Sequence, residues 1–251
     1  MVRVVSVHSF RGGTGKSNLT ANVATMLAAR GLRVGVVDTD MQSPGIHVLF
    51  GLVGRDVTAS LNDFLFRAVS IDEVAQDVTP PDISGRVFLI PSSVQPGEIT
   101  RVLREGYDAQ RLVEGLRRLT DAVRLDCLLI DTHPGLQEET LLSLVIADTV
   151  LVILRPDQQD YEGTAITVDV AKGLAVPRMV IVVNKCPPAL DRAEVQRRVE
   201  EAYRCPVLAV LPHSDEMMTL ASGGVFALCY PGDPLTAAFE AVSEYVRDGR
   251  G

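Results

Sequence analysis

Six residues near the start of the chain, Gly12-Gly13-Thr14-Gly15-Lys16-Ser17, have the types and spacing needed to hold a phosphate. Closely spaced glycines let the backbone turn tightly and present successive N–H groups to an anion. A helix that opens at Lys16 adds the partial positive charge of its N-terminus. Lys16 would reach the β- and γ-phosphates of a nucleotide, and the Ser17 hydroxyl would bind Mg²⁺. The simple pattern G-x-x-x-x-G-K-[ST] asks for glycine at position 10, and this chain has Phe10 there, followed by the fixed charge of Arg11.

Carboxylates at the ends of later apolar runs extend the set. In V-G-V-V-D-T-D-M-Q-S-P-G, Asp38 and Asp40 close a strand-like run. In open α/β sheets ligands bind beyond the C-terminal strand ends, so both carboxylates would face the phosphate. Two residues apart, they can divide labour, one near a metal and one near a water. In L-D-C-L-L-I-D-T-H-P-G the apolar residues before Asp131 match a strand whose terminal aspartate holds the Mg²⁺ shell. The run V-I-V-V-N-K-C-P presents Asn184-Lys185. A guanine-reading N-K-x-D needs a carboxylate where Pro187 stands, whereas Asn184 can still bond adenine, which favours ATP over GTP. Pro212, His213 and Ser214 either flank the base or form a strand-to-helix turn capped by Ser214 or Asp215.

These groups are useful only if one framework gathers them. Apolar runs at residues 2–7, 33–37, 87–90, 127–130, 150–154, 179–183 and 207–211 are short and often continuous, as strands buried on both faces require. Helical spacing appears between them. Leu19, Val23, Met26 and Leu27 mark the first helix, which Gly31 can end in a left-handed cap. Further helices are expected over 110–125, 138–147, 163–174 and 193–203, and a last one with the stripe Leu235, Ala238, Phe239, Val242 and Val246. The alternation predicts an α/β fold: a mostly parallel twisted sheet with helices on both faces, three layers in all. Pro80-Pro81, Gly85 and the segment from Pro231 to Pro234 read as loops inside one domain spanning residues 1–251.

Composition narrows the function classes. The chain has 251 residues and a formal charge of −8, which disfavours generic DNA binding and anionic membranes. Its longest apolar stretch, 141–154, is short and carries Asp148, so no membrane-spanning helix is expected. Met1-Val2-Arg3 leads straight into a strand pattern, without a signal peptide. Cys127, Cys186, Cys205 and Cys229 are scattered with no C-x-x-C pair, which suits buried, reduced thiols and a cytoplasmic location.

In this order, the blocks resemble the MinD/ParA family of deviant Walker A ATPases, part of the signal-recognition, MinD and nitrogenase-iron-protein-like class of P-loop NTPases. Residues 11–17 match the family's K-G-G-x-G-K-[ST] with Arg for the leading Lys. The likeness continues through V-V-D-T-D-x-x-x-P (36–44), I-D-T-x-P-G (130–135), N-K (184–185) and A-S-G-G-V-F (221–226). It implies a nucleotide site of Arg11, Gly12, Gly13, Thr14, Gly15, Lys16, Ser17 and Asn18, with Asn184, Pro212, His213 and Ser214 around the base. Mg²⁺ would be held by Ser17 and Asp131, with Asp38, Pro44, Thr132 and Gly135 supporting switch loops.

The same resemblance implies an ATP-sandwich homodimer. Arg11 would act across it on the partner's phosphates, a role that a forked, permanently charged guanidinium suits. Arg11, Lys16 and Asp40 would form the catalytic group, with Asp40 orienting the attacking water. Turnover would be slow and stimulated by an unidentified protein partner or cargo. The last helix reads as core, which argues against direct membrane anchoring. Arg117-Arg118, Arg197-Arg198 and Arg204 could meet DNA nonspecifically, although the acidic balance and Glu200-Glu201 favour a solvated helix face. Three other uses remain open: metal-centre maturation, which would want a cysteine pair across the dimer; a small-molecule kinase or ligase of the same superfold, with residues 51–84 supplying a pocket; and a nucleotide sensor that barely hydrolyses.

Overall fold

Strands buried on both faces need apolar side chains at successive positions, and the fold uses the apolar runs in this way. The computed structural model describes residues 2–53 and 56–249. Parts of three sequence readings, at residue 1, at 54–55 within the 51–84 stretch, and at 250–251, lie outside the described residues. The strands are β1 (Arg3–His8), β2 (Arg33–Asp38), β3 (Gln76–Asp77), β4 (Arg86–Ile90), β5 (Cys127–Asp131), β6 (Thr149–Leu154), β7 (Met179–Cys186) and β8 (Val207–Pro212). They form one sheet in the order β3-β4-β2-β5-β1-β6-β7-β8. Every pairing is parallel except that of β3 with β4.

Alternate side chains of β5 serve opposite cores. Leu129 joins the apolar layer under the helices Lys16–Ala29 and Pro234–Asp248, with Leu19, Leu27, Phe239 and Val242. Leu128 and Ile130 face the other way, onto Leu112, Leu116 and Leu119 of the helix Ala109–Ala122. Further along that second face, Val150 and Val152 pack with Val168 and Val199. The helix Lys16–Ala29 starts and stops where its glycines dictate. Gly15 at φ 100° forms its N-cap, and Gly31 at φ 89° closes its C-terminus by donating to Ala28 O at 2.9 Å.

Several boundaries differ from the sequence expectation. β7 continues past Val183 to Cys186 and so carries Asn184 and Lys185, with an irregularity in its pairing to β8. The helix expected at 163 begins at Gln158, because the Asp157 side chain accepts from Asp160 N. Pro234 belongs to the last helix rather than to the preceding loop, since proline fits a first turn. Short helices such as Leu61–Phe66 and Pro96–Glu105 were not expected, whereas Asp215–Leu220 follows the strand-to-helix turn that Ser214 caps. Cys229 is exposed, whereas Cys127, Cys186 and Cys205 are buried as expected. Among the described residues, no helix is long and apolar enough to cross a membrane.

Candidate nucleotide-binding site

The sheet order places β1 between β5 and β6, while the chain runs from β1 to β2 on the far side of β5. This is a topological switch point, where the C-terminal strand ends open a crevice. The register sharpens it. Asp131 at the end of β5 lies opposite Val7 of β1 and opposite Asp38 of β2. A cleft of about 510 Å³ opens there. Gly12, Gly13, Gly15, Lys16, Ser17 and Asn18 line one end, Asp40 and Pro134 lie across from them, and Asn184, Pro212, His213 and Ser214 continue it.

The loop is built around its glycines and strapped from β7. Gly15 has a left-handed φ of 100°, and a Cβ there would overlap Asn184 Nδ2. That Nδ2 donates to Thr14 O at 2.8 Å, and Lys185 Nζ donates to Gly13 O at 2.8 Å. Lys185 reaches the loop from a left-handed backbone, φ 56°, at the irregular end of the strand. Asn184 and Lys185 thus hold the phosphate loop in shape as well as bordering the cleft.

Buried charge is concentrated beneath the loop. Lys16 is 7% exposed and Asp131 is 2% exposed. Burial pushes the Asp131 carboxyl up to about 6, against the pull of the Lys16 ammonium, the Ser17 hydroxyl and Thr20. Burial raises Asp38 well above the ordinary carboxylate range, with the Asp131 and Asp40 charges adding to the effect. Asp38 accepts the Asp40 N–H at 3.0 Å through one oxygen, while its other oxygen is buried without a partner. Such a carboxylate pair calls for a cation. Hard oxygens from Asp131 and Ser17 suit Mg²⁺, which uses few protein ligands and keeps waters and phosphate oxygens. The described residues contain no cluster of three or more His, Cys, Asp or Glu arranged for a metal.

Two loops frame the phosphate end. Asp40 Oδ1 accepts the Ser43 backbone N–H at 3.0 Å and its hydroxyl at 3.1 Å, a turn that leads through half-buried Pro44 into the helix Ile46–Leu49. Thr132 Oγ1 donates to Val7 O at 3.1 Å, and Gly135 N donates to Ser9 O at 3.1 Å from a left-handed φ of 92°. The second loop is therefore tied to the end of β1 on both sides of Pro134.

Arg11 is not in the cleft. Its guanidinium bonds Gln159 Oε1, and Nη1 lies 3.7 Å from Asp160 Oδ1. Asp160 is itself 2% exposed and also pairs with Arg155 Nε at 3.0 Å. Beside it, Phe10 packs on the helix Gln158–Gly173 where Gly163 leaves room for the ring. The missing glycine at position 10 thus becomes a packing contact that seats the loop on its neighbour. The far end of the cleft was not foreseen. Met217 and Met218 from the helix Asp215–Leu220, Ala221 and Ser222 after it, and Leu235 and Phe239 from the last helix line it. The only sequence signals were the A-S-G-G-V-F block and a stripe that reads equally well as core.

A glycine-rich loop at the switch point of a parallel sheet, with acidic strand ends beside a buried lysine, defines a P-loop nucleotide-binding α/β protein. The sequence model of the family described as AAA domain (AAA_31) matches residues 2–174. The chain belongs to that family and is a P-loop ATPase of the MinD/ParA kind. An uncharacterized ATP-binding protein of Methanocaldococcus jannaschii is 27% identical over 97% of this chain and 87% of its own length. An iron-sulfur cluster carrier protein of Pyrococcus furiosus is 24% identical over 96% of this chain and 84% of its own. The septum site-determining protein MinD of Pyrococcus horikoshii, complexed with Mg-ADP, superposes with a TM-score of 0.80. That match covers 100% of this chain and 98% of the other at 23% identity, a likeness of fold.

Proposed function

We propose that this chain is an ATP-binding, slowly hydrolysing switch whose Mg-ATP form pairs two copies and positions or regulates a partner protein or assembly. The observation that carries this reading is the separation of Arg11 from the cleft that Lys16, Ser17 and Asp40 line. A pocket that lacks the positive charge next to its own loop is one a second subunit can complete. In that reading the loop N–H groups and Lys16 bind the β- and γ-phosphates. Ser17 and Asp131 hold Mg²⁺, which would neutralise charge on those phosphates. Asp40 orients the attacking water, Asp38 supports its loop, and Asn184 with residues 212–214 borders the base. Arg11 leaves Gln159 and Asp160 to stabilise charge on the partner's phosphates, a contribution of roughly 10³–10⁵ in rate where arginine fingers act elsewhere.

Light scattering with Mg-ATP and with Mg-ADP tests this. The mass doubles with ATP, the doubled mass persists in Asp40→Ala, and it is absent in Lys16→Ala. One unchanged mass across all three proteins and both nucleotides overturns the reading.

A second reading, metal-centre maturation, is favoured by the iron-sulfur cluster carrier relative. The thiols fit it poorly. Burial pushes Cys127 up to about 12 and Cys205 up to about 11, which keeps both from acting as thiolate ligands. Only Cys229 is exposed, so a cluster would need one thiol from each of two subunits. Anaerobic iron and sulfide titration of the wild type and of Cys229→Ser separates the readings: cluster absorbance lost in the variant favours maturation.

A further inference from the structure

The loop after β5 carries a side chain whose place in the site remains unassigned. His133 occupies the variable position of the I-D-T-x-P-G block. Its Nε2 lies 3.8 Å from Asp40 Oδ1. Its Nδ1 is buried with no hydrogen-bond partner. The two ring nitrogens are not equivalent, and the partner of one fixes the proton's position. With a carboxylate nearest Nε2 and no hydrogen-bond partner at Nδ1, the N–H belongs on Nε2, directed at Asp40.

The surroundings hold this pairing in place. The His133 carbonyl accepts from Thr140 Oγ1 at 3.4 Å, which ties the loop to the following helix. A second bridge runs beside the first, from Gln42 Nε2 to Gln137 Oε1 at 3.1 Å. The Gln42–Gln137 bond joins the loop that carries Asp40 to the segment that carries His133. Ser43 already occupies Asp40 Oδ1 from one side with two bonds, at 3.0 and 3.1 Å. A donor from the other side would leave the carboxylate a single orientation. The separation of 3.8 Å exceeds a hydrogen bond, and contacts of this kind often run long without substrate and tighten once it binds.

We propose that His133 is a positioning residue for hydrolysis, its Nε2–H closing on Asp40 to aim that carboxylate at the attacking water. This rests on the reading of Asp40 given above. The consequence is a split between chemistry and binding. His133→Phe keeps a ring of similar size and removes the donor, while His133→Gln restores an N–H donor at similar reach. Steady-state ATP turnover with Mg²⁺ is measured for both, for His133→Ala in case the phenylalanine variant does not fold, and for Asp40→Ala. A hydrogen bond to a charged group supports a loss in kcat of about 10- to 100-fold in His133→Phe or His133→Ala. KM for ATP stays within about twofold, because the interaction serves the reacting geometry rather than binding. His133→Gln recovers most of the loss.

Unchanged kcat in His133→Phe, or an equal loss in the phenylalanine and glutamine variants, overturns the role of His133. If Asp40→Ala alone abolishes turnover while His133→Phe does not, only this inference fails. If Asp40→Ala turns over normally, the reading of Asp40 fails and this one with it.

Discussion

His8 ends β1 with a fully buried imidazole directly beneath the phosphate loop. Thr132 spends its hydroxyl proton on Val7 O at 3.1 Å, so at the 2.9 Å contact His8 Nδ1 is the donor and Thr132 Oγ1 the acceptor. Nε2 is then a bare lone pair without a partner. Burial lowers this group to about 3, and the Lys16 charge and His133 push in the same direction. The native state therefore refuses a proton that the unfolded chain takes up near the ordinary histidine value of about 6.5. The stability that depends on neutral His8 is complete above that value and falls with pH towards about 3. The slope is about 1.4 kcal/mol per pH unit. Between pH 7.5 and pH 5, urea unfolding should show the wild type losing about 2 kcal/mol more than His8→Asn. Parallel losses in the two proteins would sink this assignment.

Elements differ in how plainly the sequence announces them, for physical reasons. Both neighbours of β5 and β6 are strands and both faces are covered, so every residue of these strands is buried and the apolar run stands out. β3 is only Gln76-Asp77, polar and at the edge, and its pairing with Leu89 and Phe88 defines it rather than its composition. The helix Pro96–Glu105 carries a short apolar stripe, Ile99, Val102 and Leu103, but buries only Val102. In the site, the phosphate loop and Asp131 were legible because their chemistry depends on local spacing. Met217, Leu235 and Phe239 were not, because separate helices bring them together at the cleft. Phe10 illustrates the limit: position 10 read only as a departure until Gly163 appeared beneath its ring. That contact makes a prediction about the element. In Gly163→Ala the added methyl overlaps Phe10, and overpacking of about 1–3 kcal/mol outweighs the gain of about 1 kcal/mol in helix propensity. Denaturant unfolding should find Gly163→Ala less stable than wild type. Adding Phe10→Ala should remove that penalty from the pair, as a double-mutant cycle reads it. Additive losses would mean that the two residues do not press on each other.

At the scale of the whole molecule, charge and symmetry decide what the site can do. The arginines that could meet DNA are largely committed. Arg197 pairs with Glu194 at 2.7 Å and Glu201 at 2.9 Å, Arg118 pairs with Asp72 at 3.1 Å, and Arg198 lies over the Tyr161 ring. On a chain of net charge −8 these pairings weigh against a phosphate backbone at those three arginines. Arg11 is paired as well, but its partners sit on a neighbouring helix rather than in the cleft beside its own loop. A two-fold pairing of identical chains is isologous, so whatever one subunit lends the other is lent back. Arg11→Ala should therefore keep its own cleft, binding ATP as a monomer but turning it over poorly. Lys16→Ala should lose its cleft but keep an arginine to lend. Mixed in equal amounts, only a pair with one copy of each variant has a complete site, one per pair, so turnover should rise well above the average of the two, to at most about half of wild type. A mixture no more active than the average of the two variants would place Arg11 at its own subunit's nucleotide or at none.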